Sequence, residues 1–162
     1  MEGWTHLDEH GHAVMVDVSG KEPTRRMAKA AGWITMSQDC YESLKNGGLP
    51  KGDALAVARV AGIMAVKKTA ELIPLCHPIP LTKAGVDFFW DDPNHALEVV
   101  CTAQCTGQTG VEMEALTGAT VALLTVYDMC KALDKGMVID KVRLLEKQGG
   151  KSGTYLREDD HA

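Results

Sequence analysis

The chain has 162 residues, 45% of them hydrophobic and 24% charged, with a formal net charge of −5 and a pI near 5.6. That size and composition suit one compact domain with a substantial core. The acidic balance gives no general attraction for nucleic acid or for an anionic membrane surface, so an anionic ligand must be met by a local cluster of bases.

No run reaches the roughly 18–20 apolar residues of a membrane span, and the first residues hold His6, His10 and His12 with several acids instead of a signal peptide's apolar centre. A cytoplasmic protein with neither membrane nor nucleic-acid partners is expected. The cysteines, Cys40, Cys76, Cys101, Cys105 and Cys130, are odd in number, lack any C-x-x-C spacing and lie mostly in apolar stretches. They read as reduced, buried thiols.

Residues 1–30 are polar, with little apolar periodicity and a basic cluster at Lys21, Arg25, Arg26 and Lys29. They read as an extended or mobile arm, followed by a single catalytic domain over 31–153 and a flexible tail over 154–162. A short strand is predicted at Trp33-Ile34-Thr35-Met36. Ser37-Gln38-Asp39 then opens a short helix that Asn46-Gly47-Gly48 ends. Asp53 suits the N-cap of a second helix running from Ala54 to about Glu71 and stopped by Pro74. Pro74, Pro78 and Pro80 make the next stretch stiff and non-helical, a rigid platform for Cys76 and His77.

Strand signals at 86–90 and 97–106 flank the turn sequence Asp91-Asp92-Pro93-Asn94. In the second, Leu97, Val99, Cys101, Ala103 and Cys105 share one face and Glu98, Thr102 and Gln104 the other, the pattern of a half-buried antiparallel strand. Residues 115–133 form a long apolar helix whose only charges are Asp128 and Lys131. Such a helix must be covered on nearly all sides, and a sheet covers one, so association of subunits is expected to cover the rest. A last strand over 138–147 leads into the glycine-rich, flexible segment Gly149-Gly150-Lys151-Ser152-Gly153. Strand, two helices, hairpin, helix and strand make an α+β two-layer domain with helices on one face of an antiparallel sheet.

Asp128 and Lys131 are three apart and share a helical face. The plainer reading is a structural ion pair. Desolvation cancels most of the attraction of a pair in apolar surroundings, however, which favours a functional role. Burial would lower the lysine pKa and raise that of the carboxylate, the condition for proton transfer near neutral pH. Glu112 and Glu114, beside Gly110 at a strand-to-helix junction, would face one side of an extended stretch, or serve as helix-start acids.

His77 occupies the rigid loop, where a lone histidine is more often structural than catalytic. Metal binding by Cys76 with His77 lacks a second pair at zinc-like spacing, and His6, His10 and His12 fit a solvated arm better than a metal site. Gly150-Lys151-Ser152 lacks the upstream glycine of a Walker motif, where Leu145 stands instead. Lys147 and Lys151 on a mobile segment can still close over phosphates as point charges. Lys67 and Lys68 suit the C-terminal end of a helix dipole, and Lys51 remains a candidate without a plainer role.

Several long motifs in order carry a resemblance: Met15-Val16-Asp17-Val18, Ala61-Gly62-Ile63-Met64-Ala65-Val66-Lys67-Lys68-Thr69, Leu72-Ile73-Pro74-Leu75-Cys76-His77-Pro78, Gly110-Val111-Glu112-Met113-Glu114-Ala115-Leu116, Thr125-Val126-Tyr127-Asp128-Met129-Cys130-Lys131-Ala132 and the closing Gly-Gly-Lys-Ser-Gly. With these the chain strongly resembles the MoaC family of molybdenum cofactor biosynthesis over about residues 15–153. A small departure is Gly118, where such sequences commonly carry alanine, expected to cost about 1 kcal/mol of helix propensity at most.

The resemblance implies a ferredoxin-like α+β fold, a homohexamer built as a trimer of dimers, and active sites at subunit interfaces. It implies rearrangement of 3′,8-cyclo-7,8-dihydroguanosine 5′-triphosphate to cyclic pyranopterin monophosphate with release of pyrophosphate. No resident cofactor or metal is implied, with magnesium left open as a companion of the triphosphate. The expected catalytic residues are Asp128, Lys131, Lys51, His77 and Glu112. Expected substrate contacts are Leu75, Cys76, His77, Met113 and Glu114, with Lys21, Arg26, Lys67, Lys147 and Lys151 neutralising the leaving group. Rival classes are a nucleotide-binding scaffold subunit and a divalent-metal hydrolase, for which the sequence offers no clear ligand set.

Overall fold

The computed structural model describes residues 5–158. In chain order it holds β1 (Thr24–Thr35), α1 (Gln38–Lys45), α2 (Ala54–Lys67), α3 (Thr69–Leu72), β2 (Leu81–Asp91), β3 (Ala96–Gly107), α4 (Glu112–Cys130), β4 (Val138–Gln148) and β5 (Tyr155–Leu156). The strands form one antiparallel sheet in the order β2-β3-β1-β4-β5, two interleaved β-α-β units with the short β5 added at one edge. Helices cover one face, giving the expected two-layer α+β arrangement.

Local chemistry explains the helix starts. Ser37 Oγ accepts from the Cys40 amide at 3.3 Å and Asp53 Oδ1 from the Ala56 amide at 3.0 Å, each satisfying a donor that the first turn leaves free. The expected second helix divides at Lys68 into α2 and α3. On β3 the residues Leu97, Val99, Cys101, Ala103 and Cys105 are all fully buried against the helices, as the alternation requires.

The central strand corrects the reading of residues 1–30 as an arm: β1 begins at Thr24 and pairs with both β3 and β4. Its inward side chains are Ala28, Ala30 and Ile34, so its core face carries little hydropathy, while Arg25 and Lys29 alternate with them. Small residues are needed because α4 lies close over the strand. A Cβ on Gly32 would stand 2.7 Å from Leu123 Cδ1 and 2.8 Å from Val142 Cγ2.

Residues 149–154 differ likewise from the flexible segment expected. They form the β4–β5 connection, Tyr155 pairs with Lys147, and Arg157 Nε donates to Leu144 O at 2.8 Å. Further upstream, residues 5–13 form a small hairpin closed by the Leu7–Ala13 bridge.

Candidate active site

Charged side chains collect at the two ends of α4. At its start, Glu112 and Glu114 lie in the first turn, not in the extended stretch considered from the sequence, so they point to different surroundings. Glu112 Oε1 takes Lys147 Nζ at 2.7 Å, and its carboxylate folds back over Gly110, where any Cβ would collide with it. Glu114 is 3% exposed. Burial pushes its carboxyl up to about 7, opposed by a bond from its own backbone amide and reinforced by the Glu112 charge.

The stiff proline segment brings Leu75, Cys76 and His77 opposite that first turn. His77 Nε2 lies 2.6 Å from Val16 O; a carbonyl only accepts, so Nε2 carries the proton and Nδ1 is the open nitrogen. That bond draws the 14–18 segment across the site. Burial raises the Cys76 thiol pKa, and the Glu114 charge raises it further.

Arg26 is fixed by Nε to Gly107 O at 2.9 Å and Nη2 to Gln108 O at 3.2 Å, and Gln108 Nε2 donates to Lys21 O at 3.1 Å. Gly149 and Gly150 have φ of +93° and +80° and lie directly against Arg25 O and the Arg26 guanidinium, a close approach and a backbone conformation that favour glycine. Lys147 is therefore a strand residue and Lys151 belongs to a loop laid against β1, which corrects the picture of both lysines on a mobile segment.

The result is a wide cleft lined by Lys21, Arg26, Lys147 and Lys151. It adjoins an inner cavity of about 280 Å³ lined by Cys76, His77, Glu112, Met113 and Glu114, with Lys21 and Leu75 reaching both. Lys67 stands apart from this cation cluster, on a smaller cavity it shares with His77 and Glu114.

At the far end, Asp128 Oδ1 meets Lys131 Nζ at 2.8 Å and Asp128 Oδ2 meets Lys51 Nζ at 3.4 Å. The expected burial of this pair is not found in the single chain: the side chains of Asp128 and Lys131 are 55% and 51% exposed. The expected pKa shifts are reversed as well. The Lys131 ammonium, then Lys51, holds the Asp128 carboxyl below its usual range, and Asp128 raises the Lys131 pKa.

Sixteen residues of helix at 1.5 Å rise separate Glu112 from Asp128, about 24 Å. The fold thus gathers Glu112, Glu114, His77, Cys76, Lys21, Arg26, Lys147 and Lys151 at one end and leaves Lys51, Asp128 and Lys131 at the other. Between them α4 is not covered on nearly all sides; Leu124 is 54% exposed, and Val57, Val60 and Met64 of the adjacent α2 are exposed as well.

Thr109, which lines the cleft, and Gln108, which fixes both Arg26 and the Lys21 segment, carried no individual signal in the sequence. Their one marker was position, just before the Gly110-Val111-Glu112 motif. Among the described residues no trio of His, Cys, Asp and Glu is arranged to hold a metal ion, and no helix is long and apolar enough to cross a membrane.

The chain is similar over nearly its whole length to curated proteins described as cyclic pyranopterin monophosphate synthase. It is 56% identical to that of Thermomicrobium roseum over 158 residues, covering 98% of this chain and 95% of the relative. It is 58% identical to that of Chloroflexus aurantiacus over 153 residues, 94% of each chain, and 54% identical to that of Geobacillus thermodenitrificans over 162 residues, 99% of this chain and all of the relative. The model of the MoaC family matches residues 15–150, which include both charged clusters of α4, and the chain belongs to that family.

Proposed function

We propose that the chain is a cyclic pyranopterin monophosphate synthase of molybdenum cofactor biosynthesis, converting 3′,8-cyclo-7,8-dihydroguanosine 5′-triphosphate to cyclic pyranopterin monophosphate and pyrophosphate. The observation that carries the reading is the cleft of four cations opening into a cavity that holds an imidazole and a buried carboxyl. That arrangement fits a molecule with a polyphosphate at one end and a polar heterocycle at the other.

The chemistry asks for both halves. A substrate oxygen attacks the α-phosphorus as the bond to pyrophosphate breaks, with no water consumed. Lys21, Arg26, Lys147 and Lys151 neutralise the leaving charge. Opening the guanine-derived ring and closing the pterin move several protons, and Glu114, titrating near 7, can hold or release one at the base. Glu112, tied to Lys147, couples the phosphate end to the base end, and Lys67 serves the base side through the cavity it shares with His77 and Glu114.

Asp128, Lys131 and Lys51 supply further acid–base groups once a second chain brings its α4 end to the first chain's cleft. The exposed apolar residues of α2 and α4 support such an interface. A homohexamer built as a trimer of dimers, working in the cytoplasm without a resident cofactor, completes the reading.

The test is direct conversion: purified protein given the cyclic triphosphate should release pyrophosphate and form an equal amount of reduced pterin, read by fluorescence after chemical oxidation of the product. Nucleotide binding without turnover would favour a scaffold subunit instead.

A further inference from the structure

The hairpin of residues 5–13 is built from local bonds. Val14 N donates to His6 O at 2.9 Å, Asp8 N to His12 O at 2.9 Å, and Asp8 Oδ1 accepts from the amides of His10 and His12 at 2.8 and 2.9 Å. Gly11, at φ +80°, permits the tight turn. The hairpin's link to the body runs through two bonds just downstream, His77 Nε2 to Val16 O and Gln108 Nε2 to Lys21 O. His77 lines the inner cavity and Gln108 also holds Arg26 through its carbonyl, so a site residue and a support of the site fix the segment that follows the hairpin.

Its position is informative. Thr5, His6, Leu7 and Ala13 line the cationic cleft, and Thr5 and His6 also line the inner cavity. Six residues reach both spaces: Thr5, His6, Lys21, Leu75, Thr109 and Gly110. Of these, His6 and Lys21 alone carry ionisable side chains. A nucleotide with its phosphates among the cations and its base beside His77 and Glu114 must pass this junction where the α-phosphate joins the sugar. An imidazole N–H is a suitable donor to an oxygen there.

We infer that the hairpin of residues 5–13 is the roof of the substrate site and that His6 contacts the nucleotide at the junction of its α-phosphate and sugar. This rests on reading the cleft as a nucleotide site. His6 binds by this contact in the ground state and moves no proton, so its loss weakens binding more than turnover.

The experiment compares the full chain with His6→Ala and His6→Gln, the second retaining an N–H donor. Steady-state conversion of the cyclic triphosphate is measured, and binding of GTP is followed by calorimetry as a probe independent of turnover. His6→Ala should raise KM and the GTP dissociation constant about tenfold with kcat within about threefold, and His6→Gln should recover most of the loss. KM and GTP affinity unchanged within about twofold, or a loss confined to kcat, would overturn the inference. If the wild type bound GTP but converted nothing, the proposed function would fail, and a weaker His6→Ala complex would still uphold the contact. Equal GTP binding by both, or none by the wild type, would sink it.

Discussion

Gly62 and Gly118 face each other across the crossing of α2 and α4. A Cβ on Gly62 would stand 3.0 Å from Gly118 O, and a Cβ on Gly118 would stand 3.2 Å from Gly62 O. The mutual approach lets the two helices close over the sheet. It changes the meaning of Gly118, for which the sequence suggested a small loss of helix propensity and no more. A Cβ there would also lie 2.5 Å from Cys101 Sγ and 2.6 Å from Val66 Cγ2.

Gly118→Ala should therefore destabilise the fold by about 1–3 kcal/mol, although alanine is the better helix former, because overpacking outweighs propensity. Adding Cys101→Ala should recover part of the loss by vacating the nearer clash. Urea unfolding of the two single variants and the double variant gives the coupling. Strict additivity would show that Cys101 is not what forces glycine at 118.

Glu114 makes stability depend on pH in a direction opposite to that of a salt-bridged carboxylate. Its folded pKa, about 7, lies above the ordinary value of 4.5. Below pH 4.5 both folded and unfolded forms carry the proton and nothing changes. As pH rises from there to about 7 the unfolded chain gives up its proton while the folded chain keeps it, so stability falls. The full effect is on the order of 3 kcal/mol. Glu114→Gln should abolish this fall, making the variant more stable than the wild type at pH 8 and equal at pH 4. Denaturant midpoints across that range test it, and parallel pH curves for the two proteins would contradict the buried, proton-holding carboxyl.

The same buried carboxyl illustrates what could be read before the fold was known. Cap and stop residues located α1 and α2, the alternation of apolar and polar side chains located β3, and a long apolar run with only two charges located α4. β1 was partly hidden, since its core face is built from alanines and its other residues include Arg25 and Lys29. Glu114 and Glu112 were both visible as candidates, but spacing could not show that one is buried and the other paired with Lys147, which depends on β4 lying beside the α4 start. Asp128 and Lys131 were visible as the only charges of an apolar helix. Their exposure was not, because the single chain leaves open the helix face that the composition says must be covered. Contacts through backbone atoms, such as those of Gln108 and Val16, leave no mark in side-chain chemistry at all.

Gly150 tests the cleft without touching a charge. It lies against the Arg26 guanidinium at φ +80°, so Gly150→Ala must displace either the arginine or the loop bearing Lys151. Losing one charge-assisted contact of about 1.5–3 kcal/mol should raise KM by roughly ten- to a hundredfold. Stability should change less, because Gly150 lies outside the core. Gly153, with no neighbour within 4 Å and a φ of +69°, gives the control: Gly153→Ala strains the same loop without reaching Arg26. Equal KM values for the two variants would mean that loop strain, not the Arg26 contact, sets affinity.

The distance of about 24 Å along α4 between Glu112 and Asp128 makes a sharper demand. If one chain's Asp128 end serves another chain's cleft, two different inactive chains must be able to rebuild a working site between them. Asp128→Asn removes the charge that holds Lys131 and Lys51, and Lys147→Ala removes a cation of the cleft. Each alone should lower turnover at least about a hundredfold. Asp128→Asn should leave stability almost unchanged, since its ion pairs are exposed. When the two variants are unfolded together and refolded, half of randomly formed dimers hold one chain of each kind. In such a dimer one site carries both defects and the other carries neither, so the mixture should recover roughly a quarter of wild-type activity. Sites contained within single chains would recover none, and a mixture no more active than its components would refute the shared site while leaving each residue's own role intact.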